Sequence, residues 1–318
     1  MSGLTGLIVK RLGLGIVTLF IITIIIFGAM EALPGAAAQQ LLGQGATEEN
    51  LAAKREELGL NNPLPVRYAS WLWGAVNGNF GDSYANSRPV ADQLFPRFLS
   101  TLWLAAFAAV IAVPLAITLG VLAALFRNSI YDRVSNALAL TSISSPEFFI
   151  GYILVLFFAV QNQWFPPIAS VTPGMEFWAR VQATFLPALT MALVVTAYMM
   201  RMTRAASINL LASPYIEMAR LKGVPQGRII TRHALPNALA PIINVVALNL
   251  AYLITGVVLV EVVFVYPGVG QLLVDSVAKQ DAPVVQACCL IFAATFILFN
   301  LIADVGSIVT NPRLRHPK

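Results

Sequence analysis

Long apolar stretches separated by short polar ones dominate the chain, and the apolar stretches are too long for an ordinary core. Stretches free of Asp, Glu, Lys and Arg cover residues 12–30, 98–126, 148–175, 181–200, 233–260 and 282–303. A helix needs about 20 apolar residues, rising about 1.5 Å each, to cross the hydrocarbon of a bilayer. Five stretches meet that length with little trimming. The third ends in a polar tail from Gln161 onward, so its helix is predicted to begin upstream, near Ser135. The pattern therefore predicts six transmembrane helices, at 9–30, 100–126, 135–160, 183–203, 236–262 and 283–307. The first apolar run is longer than the apolar core of a signal peptide, and no small-x-small cleavage site closes it, so it reads as an uncleaved span.

The polar segments give orientation. An even number of spans puts both termini on one side, and the side richer in Lys and Arg is cytoplasmic. One set of segments holds Lys10, Arg11, Arg127, Arg133, Arg201, Arg204, Arg220, Lys222, Arg228, Arg232, Arg313, Arg315 and Lys318. The two later segments of the other set hold only Arg180 and Lys279. Both termini are thus expected inside. Residues 31–97 form a long outward loop with balanced charge. Within it, "ATEENLAAKREELGL" reads as a short amphipathic helix, "NNPLP" and "GNFGDS" as turns. It is expected to cap the permeation path rather than to act as a catalytic subdomain. The apolar segment 262–274, "VVFVYPGVGQLLV", is too short to span and is broken by Pro267 and two Gly. It reads as re-entrant or interfacial at the outer mouth.

Composition agrees. Only 11% of residues are charged, 58% are hydrophobic, and mean hydropathy is +0.76. A soluble chain carries about 25% charged residues, so this surface must face lipid. The net charge of +5 does not indicate nucleic acid, because the basic residues are dispersed among apolar runs without an aromatic-rich basic face. Catalysis finds no support. The two histidines, His233 and His316, are far apart, and no HExxH motif is present. None of the five Lys follows Gly, which excludes a GxxxxGK[ST] phosphate loop. Cys288 and Cys289 are adjacent within a span and read as small hydrophobes.

Residues 213–243, "SPYIEMARLKGVPQGRIITRHALPNALAPII", are the most basic part of the chain. Ser213 is placed to cap a helix whose first position is Pro214. Glu217 sits toward its start, and Arg220 and Lys222 near its end, an order that suits the helix dipole. Gly223 is placed to stop the helix with positive φ, and Pro225 prevents continuation. A second helical piece carries Arg228, Ile229, Arg232 and Leu235, with Pro236 at the junction with the fifth span. The physics alone leaves two readings: a docking knob, or a basic loop resting on anionic headgroups.

The text "Glu217-Met218-Ala219", then Gly223, then "Leu235-Pro236", at this spacing, resembles the EAA loop of ABC-transporter permeases of the binding-protein-dependent importer type. The dipeptide/oligopeptide/nickel branch is resembled further in "LPG" at 33–35, "LGLNNPLPVRY" at 58–68 and "GNFGDS" at 78–83. Later matches are "GVVLVEVVFVYPGVGQLLVDSV" at 256–277, "DAPVVQA" at 281–287 and "NPRLR" at 311–315. Departures from the pattern are Met218, His233, Ala36-Ala37 and Asn79. The resemblance implies an all-α integral membrane protein with the type I ABC importer permease fold, set in a bacterial or archaeal cytoplasmic membrane. It implies a second homologous permease, two cytoplasmic ATPases and an extracytoplasmic substrate-binding protein as partners. ATP and Mg are then held by the ATPases, and this chain has no cofactor of its own. Tyr215, Glu217, Ala219, Arg220, Lys222, Gly223, Leu235 and Pro236 become the ATPase-coupling residues. Peptides are the default cargo of the branch, with nickel chelates, glutathione and short glycans as options. The chain is then read as 1–97 (first span and outward loop), 98–311 (permease core) and 312–318 (tail).

Two carboxylates fall within the predicted spans, Glu147 after Pro146 and Glu261 near the end of the fifth. An unpaired carboxylate in hydrocarbon is expensive. Each either lines the pathway or holds its gate, or else bonds a partner that fixes packing. Asp304 is expected to meet a nearby Arg. The alternative to a driven importer is an ion-coupled secondary transporter or channel, which would need a relay of several acids or an inverted repeat. A membrane scaffold with no transport role is a third possibility.

Overall fold

The computed structural model describes residues 3–32, 47–57, 61–172, 174–229, 232 and 235–310. Ala36, Ala37, His233 and the tail 312–318 lie outside them. The described residues form helices and no strand, with one isolated bridge between Asp82 and Pro89. The helices are α1 (Gly3–Glu31), α2 (Glu48–Glu57), α3 (Leu64–Val76), α4 (Val90–Leu125), α5 (Ile130–Ser144) and α6 (Glu147–Leu154). After α6 a π-helical stretch runs over Val155–Gln161. Then come α7 (Phe177–Leu211), α8 (Pro214–Leu221), a single helical turn over Gln226–Arg228, α9 (Leu235–Thr255), α10 (Val258–Val263), α11 (Val269–Ala278) and α12 (Ala282–Thr310).

Among the described residues, four helices, α1, α4, α7 and α12, are long and apolar enough to cross a bilayer, and the bent pair α5–α6 is a fifth candidate. Two predicted helices are corrected. The continuous third helix, 135–160, begins at Ile130 and bends by 104° between Ser144 and Glu147. Pro146 at the bend lacks an N–H and cannot continue the ladder of α5. The continuous fifth helix, 236–262, divides at Gly256 into α9 and α10, where a glycine lowers helix propensity. α4 starts ten residues before its predicted span, because Asp92 and Arg97 break an apolar run without breaking a helix.

The core is the pair α4–α7. Ala105, Ala108, Ala112 and Ala116 form a buried small-residue stripe along α4, which lets two helices approach closely without a water-driven hydrophobic effect. The approach is tightest at Gly120. A Cβ there would lie 2.7 Å from the Met200 carbonyl and 2.8 Å from Thr203 Cβ. α9 packs on α7 and α12, and α1 packs on α12. Arg11 near the start of α1 reaches Asp304 near the end of α12 at 2.9 Å, the Arg partner expected for that acid.

Candidate functional site

The functional residues gather at two opposite ends of the bundle. At one end α7 runs into α8. Asp132 in the first turn of α5 is buried and holds Arg204 of α7 through two bonds, Nε–Oδ1 at 2.6 Å and Nη2–Oδ2 at 2.8 Å. It also accepts from the Asn128 amide and from the Asn136 side chain. This fork fixes the base of α7 just before α8.

In α8 the backbone of Ser213 takes the N-cap position, but its hydroxyl donates back to the Leu210 carbonyl at 2.5 Å. The expected side-chain cap does not form, because that carbonyl at the end of α7 is closer to hand. The end of α8 follows the sequence closely. Gly223 has φ +74°. Its N–H donates to the Arg220 carbonyl at 2.9 Å, and the Val224 N–H to the Ala219 carbonyl at 3.1 Å. These two bonds make a Schellman ending, with Val224 and Ala219 on the same small apolar cluster around Ile216 and Ile229. Ile216 therefore points into the bundle, while Tyr215, Glu217, Met218, Leu221 and Lys222 are exposed. A cavity of about 290 Å³ lies behind α8, between Leu125, Arg127, Ile208, Leu211, Arg220 and Ile229. Leu235 and Pro236 begin α9.

At the opposite end, Glu261 of α10 is fully buried. Its Oε1 accepts from the Thr101 hydroxyl of α4 at 2.6 Å. Its Oε2 accepts from the N–H groups of Gly270 at 2.7 Å and Gln271 at 3.1 Å. Thr101 in turn accepts from the Val269 N–H at 2.9 Å. The carboxylate thus satisfies the free amides that open α11 and pins that helix to α4. Gly268 packs flat on this group; a Cβ there would lie 1.9 Å from Oε1. The turn between α10 and α11 holds Val265 at φ +49°, a strained value for a β-branched residue. The Tyr266 hydroxyl donates to the Ser100 carbonyl at 2.7 Å, and the Phe264 carbonyl accepts from the Ala169 N–H at 2.9 Å.

Beside this clamp, Asp281 before α12 accepts from the Ser83 hydroxyl at 2.5 Å and from the amides of Tyr84 and Ala85. Burial pushes the Tyr84 phenol above its ordinary pKa. The segments "GNFGDS" and "DAPVVQA" therefore meet in space. Asn79 keeps the turn by accepting from the Gly81 N–H at 3.0 Å. Glu147 lies elsewhere, half-buried at the start of α6 just past the bend, within electrostatic reach of Tyr252. The two acids are not brought together. Sequence reasoning passes over Thr101 and Asp132, and marks Gly268 only as a break beside Pro267. Gly268 lay within a matched segment, whereas nothing near Thr101 in the chain marks it.

The family described as "Binding-protein-dependent transport system inner membrane component" matches residues 116–316. The family covering the N-terminal part of such membrane components matches 4–105. The chain is 39% identical over 310 residues to the glutathione transport system permease protein GsiC of Escherichia coli K12, covering 97% of this chain and 98% of that one. The GsiC of Shigella boydii serotype 4 is similar to the same extent. The chain belongs to the family of inner-membrane components of binding-protein-dependent transport systems, and it is a multi-pass permease subunit of an ABC importer.

Proposed function

We propose that α8 is the coupling helix through which two cytoplasmic ATPases drive this permease. The observation that carries the reading is the build of α8. It is one short helix, anchored inward by Ile216 and ended sharply at Gly223, that presents Tyr215, Met218 and Leu221 outward. An exposed apolar face on a soluble-side helix calls for a protein partner. Glu217, Ala219, Arg220, Lys222, Leu235 and Pro236 complete the docking loop. ATP and Mg belong to the ATPases. Their closure pulls α8, and the Asp132–Arg204 fork carries the pull from α7 into α5. The bends at Ser145–Pro146 and Gly256 let the spans re-pack.

The proposed topology has six spans, counting α5–α6 and α9–α10 as one each, with both termini and α8 cytoplasmic and residues 31–97 outside. The Arg11–Asp304 pair supports placing the two termini together. The permease core is 98–311, preceded by the first span with its loop and followed by the tail. A second permease, of similar fold, completes the path, and a substrate-binding protein meets the outer loops. Glu261 holds the outer gate, and Glu147 borders the pathway. The cargo is a small peptide or a peptide-like solute such as glutathione, by likeness to GsiC. Family membership favours this driven importer over an ion-coupled carrier.

The test is Gly223→Val. The protein should accumulate in the membrane but lose co-purifying ATPases and substrate-stimulated ATP hydrolysis. Retention of both would remove α8 from coupling. Topology is tested with Thr47→Cys and Gln226→Cys in a chain lacking Cys288 and Cys289. An impermeant thiol reagent added to intact cells should label the first and spare the second. The reverse pattern would invert the orientation.

A further inference from the structure

Helix α3, Leu64–Val76, sits in the long loop that sequence patterning treats as a polar cap, yet it is apolar on both sides. The side facing α1 carries Tyr68 and Trp71. Tyr68 meets Thr23 through a 2.8 Å hydroxyl bond, and its ring packs edge-on against Phe27 at 5.5 Å and Phe20 at 6.3 Å. Trp71 lies 5.8 Å from Phe27. Thr23 stands eight residues before the end of α1 at Glu31, a drop of about 12 Å at helical rise. These contacts therefore reach well inside the predicted first span. The only charge on α3, Arg67, is neutralised by a two-bond pair with Glu31.

The other side carries Val66, Ala69, Trp73 and Val76, spaced i, i+3, i+7 and i+10, so they form one stripe along the helix. All four are exposed, Trp73 at 72% and Val76 at 74%. A helix with one apolar side packed on a span and a second apolar side exposed belongs against a membrane or a partner, not in water. α1 itself, long and apolar enough to cross a bilayer, also exposes Ile21, Ile24 and Ile25. Aromatic residues cluster where a membrane meets water, and Trp164 and Trp178 are also exposed at this end of the bundle.

We infer that α3 is an interfacial helix seated at the headgroup–acyl boundary of the leaflet at the C-terminal end of α1, with Val66, Ala69, Trp73 and Val76 in contact with lipid. In the proposed topology this is the outer leaflet. The helix then braces the end of α1 against the bilayer and sets the level at which the 78–89 loop leaves the membrane. The Arg67–Glu31 pair marks the water-facing edge.

The experiment follows the fluorescence of Trp73 in the full chain reconstituted in lipid nanodiscs, with Trp71, Trp103, Trp164 and Trp178 each changed to Phe. Lipids brominated high on the acyl chain should quench Trp73 about twofold or more. Bromine near the terminal methyl should quench it less, and aqueous iodide should leave it nearly unchanged. A companion protein with all five Trp changed to Phe and Ile24→Trp added reports a site on α1 itself, and it should be quenched by the deeper bromines. Quenching of Trp73 by iodide and not by brominated lipid would overturn the inference and place α3 in water. Protection from both quenchers would also overturn it, by placing a protein partner on the stripe. Should the Trp replacements weaken the fold, Val76→Cys in a chain lacking Cys288 and Cys289, carrying a spin label, reads the same distinction. Its relaxation should respond to oxygen and not to a water-soluble nickel chelate.

Discussion

The two ends of the bundle handle their polar groups in opposite ways. At the Glu261 end a carboxylate is sealed from solvent and satisfied by one hydroxyl from α4 and two amides from α11. At the α8 end the charged groups of the loop, Glu217, Arg220 and Lys222, are exposed, and the burial is left to Ile216 and Ile229. A sealed carboxylate tolerates little change without loss of the fold around it, because an unsatisfied buried charge is costly. An exposed loop tolerates substitution structurally and is sensitive only where something docks. The difference predicts that damage at one end reads out as abundance and damage at the other as uncoupling.

The largest effect is expected from Gly268→Ala. The backbone there is extended, φ −106° and ψ −176°, which any residue adopts, so only space is at issue. The added Cβ would fall 1.9 Å from Glu261 Oε1 and 2.1 Å from Cδ. Overpacking a tight site costs about 1–3 kcal/mol and sometimes more. Displacing the carboxylate also forfeits charge-assisted bonds of about 1.5–3 kcal/mol each. Membrane abundance should fall several-fold, as measured by quantitative immunoblot, with ATPase binding by the surviving molecules unchanged. Normal abundance would mean the clamp is loose.

Glu261→Gln is the milder version. It keeps the volume and one acceptor oxygen, so the α11 amides retain a partner while the charge is lost. A cost of about 1.5–3 kcal/mol is expected from the weakened bonds, visible as a lower melting temperature in detergent. If the group holds the gate, uptake per molecule should fall more than abundance does. Full uptake per molecule would restrict Glu261 to packing.

How much of this was legible in the sequence differs between the ends for a physical reason. The α8 ending is local: Gly223, Arg220, Val224 and Ala219 lie within six residues, and the rule that joins them is a rule about neighbours. The Glu261 clamp is not local. Thr101 is 160 residues away in the chain, and Ser83 stands 198 from Asp281. Patterning marks Glu261 as costly and Pro267 as a break, but not the partner. Pro146 sets where the third predicted span yields, because it has no N–H to give, but the packing of α6 on α7 sets how far, and nothing near the proline encodes that. Ser213 shows that local rules also lose. The cap residue was placed correctly, yet a carbonyl three residues back took its hydroxyl.

Gly223→Val sharpens the other side of the comparison. Nothing lies within 4 Å of a Cβ at this position, so the strain is in the backbone alone. Holding a β-branched residue in the left-handed region costs about 1–2 kcal/mol, and the Schellman bonds to Arg220 and Ala219 would weaken with it. Because the site is exposed, abundance should stay within about twofold of wild type, a range that a stability loss of this size permits in a chain anchored by its spans. Loss of abundance comparable to Gly268→Ala would erase the distinction between the ends.

The smallest effect is expected from Glu217→Lys, which changes charge without touching the backbone. Glu217 lies in the first turn of α8, where a carboxylate favours the positive end of the helix dipole by about 0.3–1 kcal/mol. Lysine reverses that term, and it faces water, which screens it. The fold should therefore hold, and abundance should match wild type. What changes is the charge offered to a docked partner beside Tyr215 and Met218. ATPase co-purification should weaken several-fold rather than vanish, and raising the salt should narrow the gap between variant and wild type if the deficit is electrostatic. A deficit that salt leaves untouched would assign Glu217 a direct, desolvated contact. No deficit at any ionic strength would leave Tyr215, Met218 and Leu221 to account for the docking, and the exposed end would then be an apolar contact whose charges only keep it soluble.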